Sequence, residues 1–340
     1  MAVVTNEGAV PHAAKGWLGL PPWSLLFPAV GVPAVLVSLY AMGTIGLVLA
    51  IAVTVIEVSL IVSLMLSGSG DVAALARDTV FAAIMIIVNF IIGLCLLTGG
   101  IRHGEQRFTL RGISAALATL ATLVVLSLIL PNYITSAAGP SYAPSQLVFV
   151  AIVSLVLYGT FVLVQTVRHR DYFLPAGDVE PEEHAAPPSD RTAWTAFAVL
   201  LVALVVVVLL AKGLSAKVEE AILAAGLPLA VVGVVIAGLV LAPESLAAYN
   251  AARRDRLQTG LNLALGSALA TIGLTIPAVA IVSLVLGLPL ALGIGAKAMI
   301  LLALSLFVTT ISLGTGRTTI LQGVVHLVIF AAYLFTTVVP

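Results

Sequence analysis

Ten stretches of about twenty apolar residues run through this chain, each long enough to cross roughly 30 Å of bilayer hydrocarbon as a helix. They fall at approximately 24–41, 44–66, 79–98, 112–130, 147–167, 193–211, 224–249, 261–286, 294–314 and 318–339. Helices are required because backbone groups in lipid find no water and must satisfy one another within the segment. Composition agrees: 61% of residues are hydrophobic and 9% charged, far from the balance of a water-soluble domain. Lys297, near the start of the ninth stretch, must then snorkel to the surface. The expected fold class is an all-α membrane protein with about ten transmembrane helices.

Several function classes drop out. The first 20 residues, MAVVTNEGAVPHAAKGWLGL, lack the basic start, apolar centre and cleavage pattern of a secretory signal, so the first span is expected to be retained. Fifteen basic and fifteen acidic residues cancel, which offers nucleic acid nothing and leaves the lipid bilayer as the expected partner. Cys95 is the only cysteine; it excludes an intrachain disulfide and a multi-cysteine metal site, and its expected role is packing. GxSxG, HExxH, P-loop and aspartate-rich diphosphate motifs do not occur, so neither enzyme chemistry nor ATP-driven pumping is supported. No cofactor is expected, and energy for any transport must come from another gradient.

Orientation follows from counting Lys and Arg. One side holds Arg102, Arg107, Arg111, Arg168, Arg170, Arg191, Arg253, Arg254, Arg256 and Arg317; the other holds Lys15, Arg77, Lys212, Lys217 and Lys297. The richer side is expected to face the cytoplasm, with both termini outside. The longest connection, RHRDYFLPAGDVEPEEHAAPPSDR, divides the chain into five spans before and five after. An odd number per half inverts the second half relative to the first, the layout of many secondary transporters. The expected organisation is a tail (1–23), a first five-helix repeat (24–167), a Pro-rich acidic cytoplasmic linker (168–192) and a second repeat (193–340). Asp178, Glu180, Glu182 and Glu183 in that linker read as a solvated segment able to collect cations.

The second span of each half carries a lone carboxylate, Glu57 in TVIEVSL and Glu244 in LAPESLA. Counting inward at 1.5 Å per residue puts each about 14 Å deep, near the midplane. An ionised carboxylate costs several kcal/mol there, so such residues mark an ion path, a proton relay or a buried pair. No Lys, Arg or His occurs at comparable depth in a neighbouring span to make the pair. Thr54, one turn before Glu57, can offer a hydroxyl oxygen to a shared ion. Pro243 is expected to break its helix and free carbonyls beside Glu244 and Ser245. Asn89, deep in the third span, reads equally as an oxygen ligand or as an interhelical hydrogen bond. The eighth span sets Ser267, Thr271 and Thr275 on one stripe, which suits an ion path or close helix packing. Its polar start at Asn262 and Ser267 parallels Asp78 and Thr79 in the third span. Arg77 and Asp78, at the outer mouth of the third span, read as a solvated helix cap or as ligands, and His103 and Glu105 as an ordinary solvated loop.

TVIEVSLIVSLMLSGSG (54–70), ARDTVFAAIMIIVN (76–89), GGIRHGEQ (99–106), APES (242–245) and NLALGSALATIGLTIPA (262–278) together resemble the bacterial calcium/proton antiporters of the ChaA type. These lie in the cation/proton exchanger branch of the calcium/cation antiporter superfamily. The resemblance implies one cation-binding, proton-exchanging glutamate per inverted repeat, here Glu57 and Glu244. Relatives in the wider superfamily often have Asn three residues before the glutamate, where this chain has Thr54 and Leu241. The long acidic helix that many cation/proton exchangers carry between their halves is reduced here to a short acidic patch.

The expected function is therefore secondary active antiport of Ca2+, with Na+ or K+ as alternatives, against H+ in the bacterial inner membrane. Metal ligands are expected from Glu57, Glu244, Thr54, Asn89, Ser267 and Asn262, with proton coupling at the two glutamates. The competing reading is a passive cation channel, which needs a continuous hydrated pore, usually ringed by repeated ligands in an oligomer. Two single midplane carboxylates suit a one-ion carrier better.

Overall fold

The computed structural model describes residues 57–59, 61–62, 72–173, 191, 194–195, 198–199, 202, 206, 209, 213 and 217–339. Within them seven helices are long and apolar enough to span a bilayer. They match the expected third, fourth, fifth and seventh to tenth stretches. The span at 24–41, most of 44–66 and 193–211, Thr54, and the linker's acidic cluster lie outside the described residues.

Helix α1 (Val72–Met85) passes through a π turn (Ile86–Ile91) into α2 (Ile92–His103). A two-residue strand, β1 (Gln106–Arg107), leads to α3 (Leu110–Val124), and α4 (Pro144–Leu163) follows. The second part comprises α5 (Ala230–Arg253), α6 (Leu257–Leu286), α7 (Ala296–Leu313), β2 (Arg317–Thr318) and α8 (Ile320–Val338).

Two expectations at helix boundaries are corrected. The third span begins well before residue 79, so Arg77 and Asp78 sit inside its helix rather than at a solvated mouth. Arg77 can be there because its charge is spent: Nε meets Asp78 Oδ1 at 2.8 Å, and Nη1 donates to the Gly293 carbonyl at 2.8 Å. Pro243 does not break α5, which continues through it to Arg253. Ser245 Oγ donates to the Leu241 carbonyl at 2.7 Å, so that carbonyl is engaged and not free for an ion. The carbonyl that Pro243 deprives of its donor is that of Leu239, four residues back, and α5 runs on past that one missing bond. Lys297 behaves as expected, exposed at the start of α7 with Nζ donating to the Thr336 carbonyl.

Close approach through small residues holds the bundle together, since lipid supplies no hydrophobic drive between helices. A side chain at Gly323 of α8 would lie 2.4 Å from the Leu97 backbone of α2, and one at Gly273 of α6 would lie 2.8 Å from Tyr158 of α4. Gly233 brings α5 onto the backbone of Asp78 and Thr79, and Gly260 brings α6 onto the Ala248 carbonyl of α5.

The ends of the helices form two tied faces. On the arginine-rich face, β1 and β2 pair antiparallel, Gln106 opposite Thr318 and Arg107 opposite Arg317. The 99–108 loop is thus not an ordinary solvated loop: Glu105 pairs with Arg317 at 3.1 Å, His103 Nε2 meets the Arg253 carbonyl at 3.1 Å, and Gln106 Nε2 donates to Asp255 Oδ1 at 2.6 Å. On the opposite face, Ala291 N–H donates to the Ala73 carbonyl and Ile294 N–H to that of Leu128, both at 2.9 Å. Arg107, Arg253 and Arg317, all assigned to one side by the basic count, meet on the first face. Before α5, Lys217 pairs with Glu220 at 2.9 Å, and its hydrogen bond, then its charge, lower the Glu220 carboxyl from its ordinary value.

Candidate cation site

Glu57 is 4% exposed, in the short helical stretch described around it. Its Oε2 accepts a hydrogen bond from Thr275 Oγ1 at 3.1 Å. Thr271 and Thr275 are four residues apart on α6, hence on one helix face, and both are buried. Thr271, Glu57 and Thr79 of α1 line one small cavity, closed by Ala83 of α1 and by Ala237 and Leu241 of α5. The α5 wall reaches this position because Gly233 lets it lie against the backbone at Asp78 and Thr79.

Glu244 follows Leu241 by three residues, so it continues the same face of α5. It is 6% exposed, and its Oε2 has no hydrogen-bond partner among the described residues. Thr79 Oγ1 is also without a partner there. Glu57 shares the cavity with Leu241, one helical turn before Glu244. A buried polar atom left unpaired costs about 1–3 kcal/mol, so two such oxygens beside a second carboxylate are an expensive arrangement for packing alone. No Lys, Arg or His lines the cavity among the described residues. The polar lining is entirely oxygen, one carboxylate and two hydroxyls, with Thr275 bonded to Glu57 behind it and Glu244 one helical turn beyond Leu241, which is the chemistry of hard cations.

The sodium/calcium exchanger protein family matches residues 32–167 and 195–339 of this chain. The chain belongs to that family. The exchanger is 51% identical over 299 residues to "Putative ionic transporter y4hA" of Sinorhizobium fredii, covering 87% of this chain and 80% of the relative. It is 35% identical over 296 residues to the sodium-potassium/proton antiporter ChaA of Escherichia coli, covering 86% and 79% respectively. Native YfkE shares its fold with a TM-score of 0.70 at 16% identity, over 94% of this chain and 93% of that one. The exchanger is thus a multi-pass membrane transporter and not an enzyme.

The other residues singled out in the exchanger's sequence are placed as follows. Asn89 is fully buried within the π turn, and its Nδ2 donates to Ser305 Oγ of α7 at 2.9 Å. It follows Thr79 by ten residues, about 15 Å along the helix, and does not line the cavity. Asn262 donates to the Phe173 carbonyl at 2.6 Å and accepts from Gln258 at 3.0 Å. It precedes Thr271 by nine residues, about 14 Å, so it ties the arginine-rich face and stays out of the cavity. Ser267 is half-buried and also outside the lining. Of the hydroxyl stripe, Thr271 and Thr275 reach Glu57, while Thr79 contributes from the third span.

Two features had weak sequence signals. Gln106, 2% exposed, is recognisable only once the strand pair exists. His326 lies in the tenth span and is fully buried in α8. A histidine inside an apolar stretch was its signal, and comparing depth only with neighbouring spans passed over it.

Proposed function

We propose that the protein is a secondary active cation/proton antiporter that exports Ca2+, with Na+ or K+ as alternative substrates, by alternating access at Glu57 and Glu244. The observation that carries this reading is the cavity that sets Glu57 beside the unpartnered Thr79 hydroxyl, one helical turn from the unpartnered Glu244 oxygen, with no basic residue among its described lining residues. Thr79, Thr271 and Thr275 supply neutral oxygens. Two carboxylates can balance a divalent ion, and the Escherichia coli relative, a sodium-potassium/proton antiporter, supports keeping monovalent cations as alternatives.

Exchange follows from the cost of moving charge through low dielectric. Cation or protons neutralise the two carboxylates, and each ligand must leave before the other binds. The bare, doubly charged site is the state least able to pass between inward-facing and outward-facing forms, so the two fluxes are coupled. The full architecture in this reading is ten spans in two inverted repeats, 24–167 and 193–340, with the linker 168–192 and the arginine-rich face cytoplasmic and both termini outside.

The test is dequenching of a pH-sensitive dye in everted vesicles as each cation is added. Acidifying the side that supplies the cation should slow transport, and raising the cation concentration should restore the rate, because proton and ion compete for the same oxygens. Acid inhibition that no cation concentration relieves would remove the shared-site mechanism. Orientation is checked with single cysteines in a Cys95→Ser background: Arg102→Cys should react from the cytoplasm only, and Tyr133→Cys from outside only.

A further inference from the structure

The π turn in the long third span has a defined defect. A π turn holds one residue more than the α-helix around it, so the backbone ladder skips a carbonyl where it ends. Here the Ile92 N–H is directed at the carbonyls of Ile87 and Asn89, which passes over the carbonyl of Val88 between them. A buried carbonyl without a donor is costly in a membrane, and carbonyls in a helix point toward its C-terminal end. The group that meets this one should therefore lie near residue 93.

His326 of α8 is in that place. A side chain at Gly93 would put its Cβ 2.8 Å from His326 Cβ, so the glycine is what admits the histidine. The imidazole is fully buried, and His326 packs against Gly93, the residue toward which the Val88 carbonyl points. Neither ring nitrogen closes a hydrogen bond of ordinary geometry in the static structure, and no other polar partner competes for them among the described residues. The donor-deficient carbonyl and the unspent ring are adjacent.

We infer that His326 is a positioning residue: its ring N–H serves the Val88 carbonyl and so holds the π turn that sets the rotation of α1 against α2. The consequence reaches the cavity. Converting the π turn to α-helix without removing a residue would turn α1 by about 100° and shift it about 1.5 Å relative to α2. Thr79 and Ala83 would leave the cavity they line, although His326 itself touches no substrate. This inference rests on the cavity around Glu57 being the transport site.

The test compares His326→Leu, which removes the donor, with His326→Gln and His326→Asn, which keep one at different reach. Each is purified, reconstituted and assayed for cation-dependent proton flux over a range of cation concentrations. A support for a ligand shell typically carries a loss of about 10- to 100-fold in affinity. The expected result is that His326→Leu raises the half-saturating cation concentration by about tenfold or more with maximal rate changed less than about twofold. At least one amide variant should return to near the wild-type value. Equal behaviour of Leu and both amides, or a loss confined to maximal rate, would overturn the inference.

Deletion of Val88 in the His326→Leu background supplies a second arm, because it removes the surplus residue and with it the unserved carbonyl. Recovery of folding or affinity in that double variant supports the inference, including where His326→Leu alone does not fold; failure of both overturns it. Thr79→Val run alongside separates the two readings. If it leaves half-saturation unchanged, the assignment of the cavity fails; if it weakens affinity while His326→Leu does not, only the role of His326 fails.

Discussion

The cavity around Glu57 and the contact between Asn89 and Ser305 are both buried polar sites in an apolar bundle, yet they are built in opposite ways. Asn89 Nδ2 donates to Ser305 at 2.9 Å, and the Ser305 hydroxyl donates to the Leu301 carbonyl at 2.7 Å, which leaves one neutral oxygen, Asn89 Oδ1, without a partner among the described residues. Around Glu57, one threonine donates to one carboxylate oxygen, while Glu244 Oε2 and Thr79 Oγ1 are left over. The first arrangement joins two helices. The second keeps acceptors available for something that arrives from outside. Capacity to bind an ion therefore depends on unconsumed oxygens that gather beside a carboxylate, and polarity in a span, or a single neutral oxygen left over as at Asn89, is a poor guide to it.

The comparison breaks most readily at the carboxylates. Glu57→Gln and Glu244→Gln keep side-chain volume and remove the titratable charge, so each should abolish cation-dependent proton flux while the protein still inserts. Full exchange in either variant at several pH values would remove that glutamate from the site. A smaller effect is expected from Thr275→Val, which deletes the donor to Glu57 and nearly preserves shape. Losing a hydrogen bond to a charged group costs about 1.5–3 kcal/mol, so half-saturating cation should rise by about tenfold or more. Flux titrations that show no rise would mean Thr275 is a packing residue.

Asn89→Ala sharpens the contrast from the other side. It should lower the thermal midpoint of the purified protein, at a cost of about 1 kcal/mol for a hydrogen bond between membrane helices, and leave half-saturation within about twofold. A larger affinity loss than that of Thr275→Val would reverse the two roles. The smallest effect belongs to the surface: Glu105→Ala removes an exposed ion pair with Arg317 worth about 0–1 kcal/mol. Flux should be unchanged within error.

The seven described spans were legible because a run of apolar residues declares a membrane helix through length alone. Their ends were less so. The third span runs on through Arg77 and Asp78 because Gly293, more than two hundred residues later, accepts from the arginine, and no local pattern announces such a partner. Pro243 read as a break because proline lacks a donor, but α5 runs on past the one missing bond, and the tertiary packing that permits this has no local signature. At the site, Glu57 and Glu244 stood out because charge in an apolar run is conspicuous. Threonines are ordinary in such runs, so which of Ser267, Thr271 and Thr275 would face Glu57 waited on helix rotation. Asn89 and Asn262 were visible for the same reason as the glutamates, but their partners, Ser305 and Phe173, were not.

The pairing of β1 with β2 has a consequence for how the protein is made. Residues 106 and 318 emerge from the ribosome far apart in time, with most of the remaining helices inserted between them. At about 5–20 residues per second, β1 must wait on the order of ten seconds or more for its partner strand. Throughout that interval Gln106, later sealed beneath the ribbon, faces water, and the edge of β1 is open to any other extended segment. Closing the ribbon is thus a late step in biogenesis. A chain stalled before α8 would present an unfinished seam, which is the kind of feature that membrane quality-control proteases can read.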